Sequence, residues 1–155
     1  MSFWRLLHIL SLCLMTAGIG GTLVPIGRAW ATDVIERRVM LLDEAQRNET
    51  LLLLPGTIAL MFSGYAWATA AGTNVIVTGW LVALQVLTMV DLFIFIPLMG
   101  VGLRRVRYLA LAAEKQGVVT DELRDAMADN VPLVFSALIA LTIPVMVWLP
   151  VFKPF

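Results

Sequence analysis

The stretch Phe3–Ile26, FWRLLHILSLCLMTAGIGGTLVPI, decides the fold. It is long enough to cross a bilayer, whose hydrocarbon core of about 30 Å needs about 20 mainly apolar residues in a helix. It carries the single histidine of the chain, His8, and a cluster of small residues, Ala17, Gly18, Gly20 and Gly21. Ala29-Trp30-Ala31 has the small-x-small form of a signal-peptide cleavage site. However, the apolar run before it is longer than a signal core, and Arg28 stands against the site. The stretch therefore reads as a retained transmembrane helix.

Working outward, the whole chain of 155 residues is 60% hydrophobic and only 14% charged. Soluble domains average about 45–50% apolar and about 25% charged residues. Three more spans satisfy the length requirement. The four are approximately 3–26, 50–71, 75–103 and 131–152, within a single membrane domain over 1–155. A net charge of zero argues against a nucleic-acid partner. One cysteine, Cys13, provides neither a disulfide framework nor a thiolate metal motif.

Charge patterning orients the spans. The two long connections hold Arg28, Arg37, Arg38, Arg47, Arg104, Arg105, Arg107, Lys115 and Arg124, whereas the opposite side holds Arg5 and Lys153. Cytoplasmic loops carry the excess of Lys and Arg, so both termini are expected outside. Trp4, Trp67, Trp80 and Trp148 fall at the predicted outer ends, and Trp30 near the inner edge, where indoles favour the interface. Val34-Ile35, Val39 and Leu42 recur at helical spacing, with Asp33–Arg37 and Asp43–Arg47 as i,i+4 pairs. The expected fold is an all-α bundle of four transmembrane helices with helical cytoplasmic extensions. Gly72-Thr73-Asn74 predicts a tight antiparallel hairpin of spans two and three. Thr120 and Asn130 are expected N-caps, and Pro55, Pro97 and Pro144 mark kinks or helix ends. No internal repeat is visible.

Two polar residues inside the spans stand out. His8 lies roughly 8 Å below the outer interface, at 1.5 Å rise per residue. It reads either as a hydrogen-bonded interfacial histidine or as an iron ligand, with Met146 at a similar depth as a possible second ligand. Asp91 lies near the bilayer centre, where an ionised carboxylate costs about 2.5–3.5 kcal/mol. It must face the bundle interior, be protonated or find a partner, and hydroxyls of Thr16, Thr57, Ser63, Thr88, Ser136 or Thr142 are within reach of that role. It reads either as a proton- or ion-handling site or as a neutral carboxylic acid that holds helices together. Ala17 with Gly21, and Gly64 with Ala68, form small-xxx-small pairs that permit close helix approach, as do Gly18 and Thr22. The carboxylates of the connections read as solvated helix faces, and Arg104-Arg105-x-Arg107 as a positive-inside stop signal.

Leu6-Leu7-His8-Ile9-Leu10, followed by Gly18-Ile19-Gly20-Gly21 and a basic connection from Arg28, resembles a bacterial family of predicted integral membrane proteins of unknown function. That family is distantly similar to the copper-resistance D membrane domain and to the haem-associated protoporphyrinogen oxidases, which begin with a Leu-His or similar pair. The resemblance implies a multi-pass protein of the bacterial inner membrane, with His8 in the position of a haem b ligand. With one histidine, one buried acid and no evident constellation of catalytic groups in the sequence, three functions stand as expectations. The leading one is a non-enzymatic accessory or structural subunit, packed against lipid and against other membrane subunits or copies of itself. The second is a haem b-binding redox protein or oxidase using His8. The third is a small oligomeric proton-coupled transporter using Asp91.

Overall fold

A computed structural model describes residues 2–154. Helix α1 (Ser2–Ala31) is one unbroken span. Helix α2 (Ile35–Asn48) runs through a π-helical turn, Glu49–Leu53, into α3 (Leu54–Ala70). Helix α4 (Gly79–Val90) runs through a second π-helical turn, Asp91–Phe95, into α5 (Ile96–Gln116). The short α6 (Asp121–Ala128) precedes α7 (Val131–Phe152). The described residues thus form four rods that alternate in direction, each long and apolar enough to cross a membrane. The α2–α3 rod has 36 residues and the α4–α5 rod has 38. At 1.5 Å per residue these are about 54 and 57 Å long, against about 30 Å of hydrocarbon. Both rods therefore project far beyond it.

Local chemistry explains the ends. Arg38 is buried and donates from Nε to Ala29 O (3.1 Å) and from Nη2 to Thr32 O. It so caps the carbonyl end of α1, where a cation is favoured by the helix dipole. Gly117 ends α5 with φ 68°, the left-handed conformation that glycine adopts without a Cβ penalty. The hydroxyl of Thr120 accepts from Leu123 N at 3.3 Å, the N-cap its position predicts. Asn130 does not cap α7. Its backbone is left-handed (φ 52°), and its Oδ1 instead accepts from Trp30 Nε1 at 2.9 Å, tying the α6–α7 junction to the end of α1.

The core has two parts. Within the membrane, Met15, Ile19, Leu53, Leu60, Ile96, Met99, Ile139 and Met146 are buried together. At the end where α2 and α5 project, Ile26, Leu41, Leu42, Leu103, Val106 and Leu123 pack with small alanines such as Ala45 and Ala110. This second cluster is why the charged connections fold as helices: each turns an apolar stripe inward. On α2 the buried stripe is Arg38, Leu41, Leu42 and Ala45, and Val34 is exposed. Asp43 reaches across to Arg107 (2.5 Å) instead of along its own helix to Arg47.

Spans two and three run antiparallel and pack where α2 meets α5, but their other halves part. Helix α1 packs along α2 and α3, and α7 packs against α1, α4 and α5, while α3 and α4 scarcely touch. The segment between them spans residues 71–78, longer than the three-residue link expected, because the helix starts only at Gly79. Asn74 organises it, with Oδ1 accepting from Ile76 N and Val77 N at 3.1 and 3.3 Å. Such Asx turns compete with helix formation. A turn of that length joins α3 and α4 with little contact between them beyond the hydrogen bond that Tyr65 Oη donates to Gln85 Oε1 (2.6 Å).

Candidate functional site: two acids on π-helical turns

In an α-helix, a proline at position i lacks its N–H and its ring crowds the carbonyl of residue i−4. Opening one turn to i→i+5 bonding relieves this. Before Pro55, the N–H of Leu54 bonds Glu49 O; before Pro97, the N–H of Ile96 bonds Asp91 O. Both are i→i−5 bonds. The two segments read Glu49-Thr-Leu-Leu-Leu-Leu-Pro55 and Asp91-Leu-Phe-Ile-Phe-Ile-Pro97. In each, an acid opens the π-turn and a proline follows six residues later. A proline alone does not make such a turn, since Pro25, Pro144 and Pro150 lie inside continuous α-helix. Single π-turns inserted in α-helices recur at functional sites.

Both acids point inward. Asp91 is 0% exposed and Glu49 is 5% exposed. The hydroxyl of Thr142 on α7 lies 2.6 Å from Asp91 Oδ2 and 2.7 Å from the backbone carbonyl oxygen of Ile139. Asp91 Oδ1 is buried and has no hydrogen-bond partner among the described residues. Of the hydroxyls within reach by sequence, the structure brings Thr142 to Asp91; Thr57 and Thr88 bond the carbonyls of Leu53 and Leu84 on their own helices. Glu49 Oε1 is 3.7 Å from Arg104 Nη1, and Glu49 Oε2 is buried without a partner among the described residues. A Cβ at Gly100 would collide with Glu49 Oε1, so this glycine provides the room for the carboxyl.

His8 sits elsewhere, between α1 and α3. Its Nδ1 is 3.1 Å from Leu60 O and 3.2 Å from Ser63 Oγ. A carbonyl only accepts, so Nδ1 carries the proton and Nε2 keeps its lone pair. The ring leans on Trp67, with centroids 5.6 Å apart, and lies over Gly64, where an added Cβ would come within 3.0 Å of Cε1. Gly64 thus seats the histidine. Met146 is buried in the membrane core cluster, while the contacts that hold the His8 ring all go to α3.

The small residues divide sharply. Gly18 faces the backbone of Leu52 and Leu53, and Gly56 faces the backbone of Leu14 and Met15; neither position has space for a Cβ. These two glycines let α1 and the α2–α3 rod meet backbone to backbone. Gly21 packs on the Asn48 side chain, whose Nδ2 donates to Gly21 O at 2.8 Å. Ala17 is exposed on α1, and Ala68 is half-buried near the end of α3. All three arginines of the Arg104-Arg105-x-Arg107 run have carboxylate partners: Glu49, Asp129 and Asp43.

Glu49 and Gly56 are the residues that sequence reasoning missed. Glu49 looks like the last charge of a polar connection, yet it is buried, and it shares with Asp91 the spacing acid-x5-Pro. Four apolar helical rods with buried carboxyls at membrane depth define a multi-pass integral membrane protein. The chain belongs to the family described as "Predicted integral membrane protein (DUF2269)", which matches residues 2–154. No curated protein and no solved structure matches it.

Proposed function

We propose that this protein handles protons within the membrane, as a small transporter acting in an oligomer or beside other membrane subunits, with Asp91 as the site that takes up and releases the proton. The observation that carries the reading is the placement of one hydroxyl, Thr142, between Asp91 Oδ2 and Ile139 O. When Asp91 is ionised, the Thr142 hydroxyl donates to it. When Asp91 is protonated, its own O–H donates to Thr142 Oγ1, and the threonine hydrogen turns to Ile139 O. A hydroxyl can donate once and accept twice, so Thr142 pairs with Asp91 Oδ2 in either protonation state without a helix moving, while Oδ1 has no partner among the described residues. An ionised carboxylate lacking such support costs several kcal/mol at this depth. The accessory-subunit role expected from composition lacks a comparable positive feature, and partner subunits enter here as the setting of the proton site. The long basic connections support a cytoplasmic α2–α5 end for a protein of the bacterial inner membrane.

The test is proton flux into lipid vesicles containing the purified protein, followed with an enclosed pH dye under an imposed gradient. Flux above that of empty vesicles, abolished by Asp91→Asn, is the expected result. Flux unchanged in Asp91→Asn, or no flux in the native protein, overturns the reading.

A second reading, haem binding at His8, is favoured by one observation. The Nδ1–H bond to Leu60 O leaves Nε2 free as a ligand atom, and metal-binding histidines are commonly held this way by a carbonyl. A bound haem would supply redox chemistry, and His8 would hold it from the face between α1 and α3. Detergent-purified protein should then show a Soret band that His8→Ala removes. A colourless preparation excludes it.

A further inference from the structure

We infer that Glu49 is a second proton-binding carboxyl, built by the same local device as Asp91, with Gln46 as its hydrogen-bond partner when protonated and Arg104 as its counter-charge when ionised. It rests on the reading of Asp91 for its purpose, but the site stands on its own geometry.

Three observations converge on it. The first is the shared construction. Each of the two central rods carries one acid at the start of a π-helical turn, six residues before a proline, and the rods run in opposite directions. The second is burial with an unpartnered oxygen. Among the described residues the buried side-chain oxygens without a partner are Gln46 Oε1, Glu49 Oε2 and Asp91 Oδ1. Two of these three belong to the π-turn acids. The third is the position of Gln46. It lies three residues before Glu49, and the Glu49 N–H still bonds Ala45 O and Gln46 O, so the backbone between them is helical. The i,i+3 spacing gives Gln46 Oε1 and Glu49 Oε2 a shared face; two acceptors that meet there repel, whereas one proton on Glu49 Oε2 makes it a donor for Gln46 Oε1 and satisfies both atoms. The cost of a buried polar atom left without a partner favours this proton.

The charged surroundings set when the proton leaves. Arg104 on α5 is the charged group within ion-pair distance of Glu49, and its side chain is half exposed to the outside of the bundle. Where α1 passes this turn it presents Gly18 to the Leu52–Leu53 backbone and Gly21 to the Asn48 side chain, all neutral. In this inference Glu49 has one neutral partner, Gln46, and one cationic partner, Arg104. Its two protonation states select between them, with the proton exchanged with water at the α2–α5 end. Asp91 lies nine residues before Gly100, which touches Glu49, so the two carboxyls stand about 13 Å apart along the rod. Leu53, Ile96 and Met99 are buried in the core cluster at this level. The two sites are thus separate stations, with an apolar layer between.

Infrared difference spectroscopy of the native protein in vesicles, titrated from alkaline to acid, tests this. Two bands of protonated, buried carboxyls are expected. Glu49→Gln removes one and Asp91→Asn removes the other. Arg104→Gln removes the counter-charge, so the Glu49 band should persist to more alkaline solution. The inference is overturned if Glu49→Gln leaves the carboxyl bands unchanged, because Glu49 is then an ionised partner of Arg104 and Gln46 has simply turned its amide N–H toward it. It is equally overturned if Arg104→Gln shifts nothing. A Glu49 band in a protein that shows no proton flux supports the site and removes the transport reading, so the two failures remain distinct.

Discussion

Asp91 and Thr142 form the pair on which the proposed proton chemistry turns. Replacing Thr142 with valine keeps the volume but leaves both carboxyl oxygens of Asp91 without a partner. A buried polar group so stranded costs about 1–3 kcal/mol. Thr142→Val should therefore lower the melting temperature in detergent and slow proton flux, whereas Thr142→Ser should preserve both. Arg38 is the other residue with a strong individual effect. Hydrogen bonds from charged groups are worth about 1.5–3 kcal/mol, so Arg38→Ala should destabilise the protein by that order, measured by thermal unfolding in detergent. Asp91 was legible in the sequence because a charge inside an apolar run has no solvated explanation. Arg38 and Glu49 were not, because each lies among charges that do face water. Only the buried stripe of α2 separates Arg38 from exposed Arg37.

At the scale of elements, the contact between α1 and the α2–α3 rod depends on two glycines facing opposite backbones. Gly18→Ala puts a Cβ into the backbone at Leu53, and over-packing of this kind costs about 1–3 kcal/mol. Gly20→Ala is the control. It meets nothing within 4 Å and should leave the melting temperature unchanged. Composition and spacing showed that α1 was rich in small residues, but not which of the adjacent ones met a neighbour. Ala17 and Gly18 are one step apart on the helix and face different surroundings. The partner glycine, Gly56, follows Pro55 and reads as mere punctuation. The π-turns were illegible for a related reason: prolines predict a disturbance of the helix, not its form, and three other prolines in this chain cause none.

For the whole molecule, the four spans were legible because each is a long apolar run, and nothing but a helix or a closed barrel satisfies the backbone in lipid. The splayed arrangement of α3 and α4 was not, since it depends on where Asn74 lets the turn end. The basic connections predict a sidedness that can be measured. In a Cys13→Ser background, a cysteine at Val118 should react only with a reagent that reaches the cytoplasm, and one at Ile76 with an impermeant reagent added outside. Both positions are exposed, at 63% and 81%, and the opposite pattern would invert the topology. The ion pairs Asp43–Arg107 and Arg105–Asp129 are partly open to water. Each should contribute at most about 1 kcal/mol, and neither decides the fold.

The two π-turns also make the rods unequal in how they tolerate a lost residue. A π-turn accommodates one residue more than an α-helix would, so removing one there returns the turn to ordinary α-helix and leaves both flanks facing as before. The proline that follows then sits as Pro144 already does, inside a continuous helix. Removing one residue from plain α-helix instead rotates everything beyond it by about 100°, since 3.6 residues make a turn. Deleting Phe93, exposed within the second π-turn, should therefore leave a folded protein with an altered Asp91 site. Deleting Val101, equally exposed but on α5, would swing Leu103, Val106, Ala110 and Ala113 out of the core. That variant should fail to accumulate in the membrane. Each rod, on this view, holds a spare residue in reserve beside its buried acid, a slack link in an otherwise taut helix.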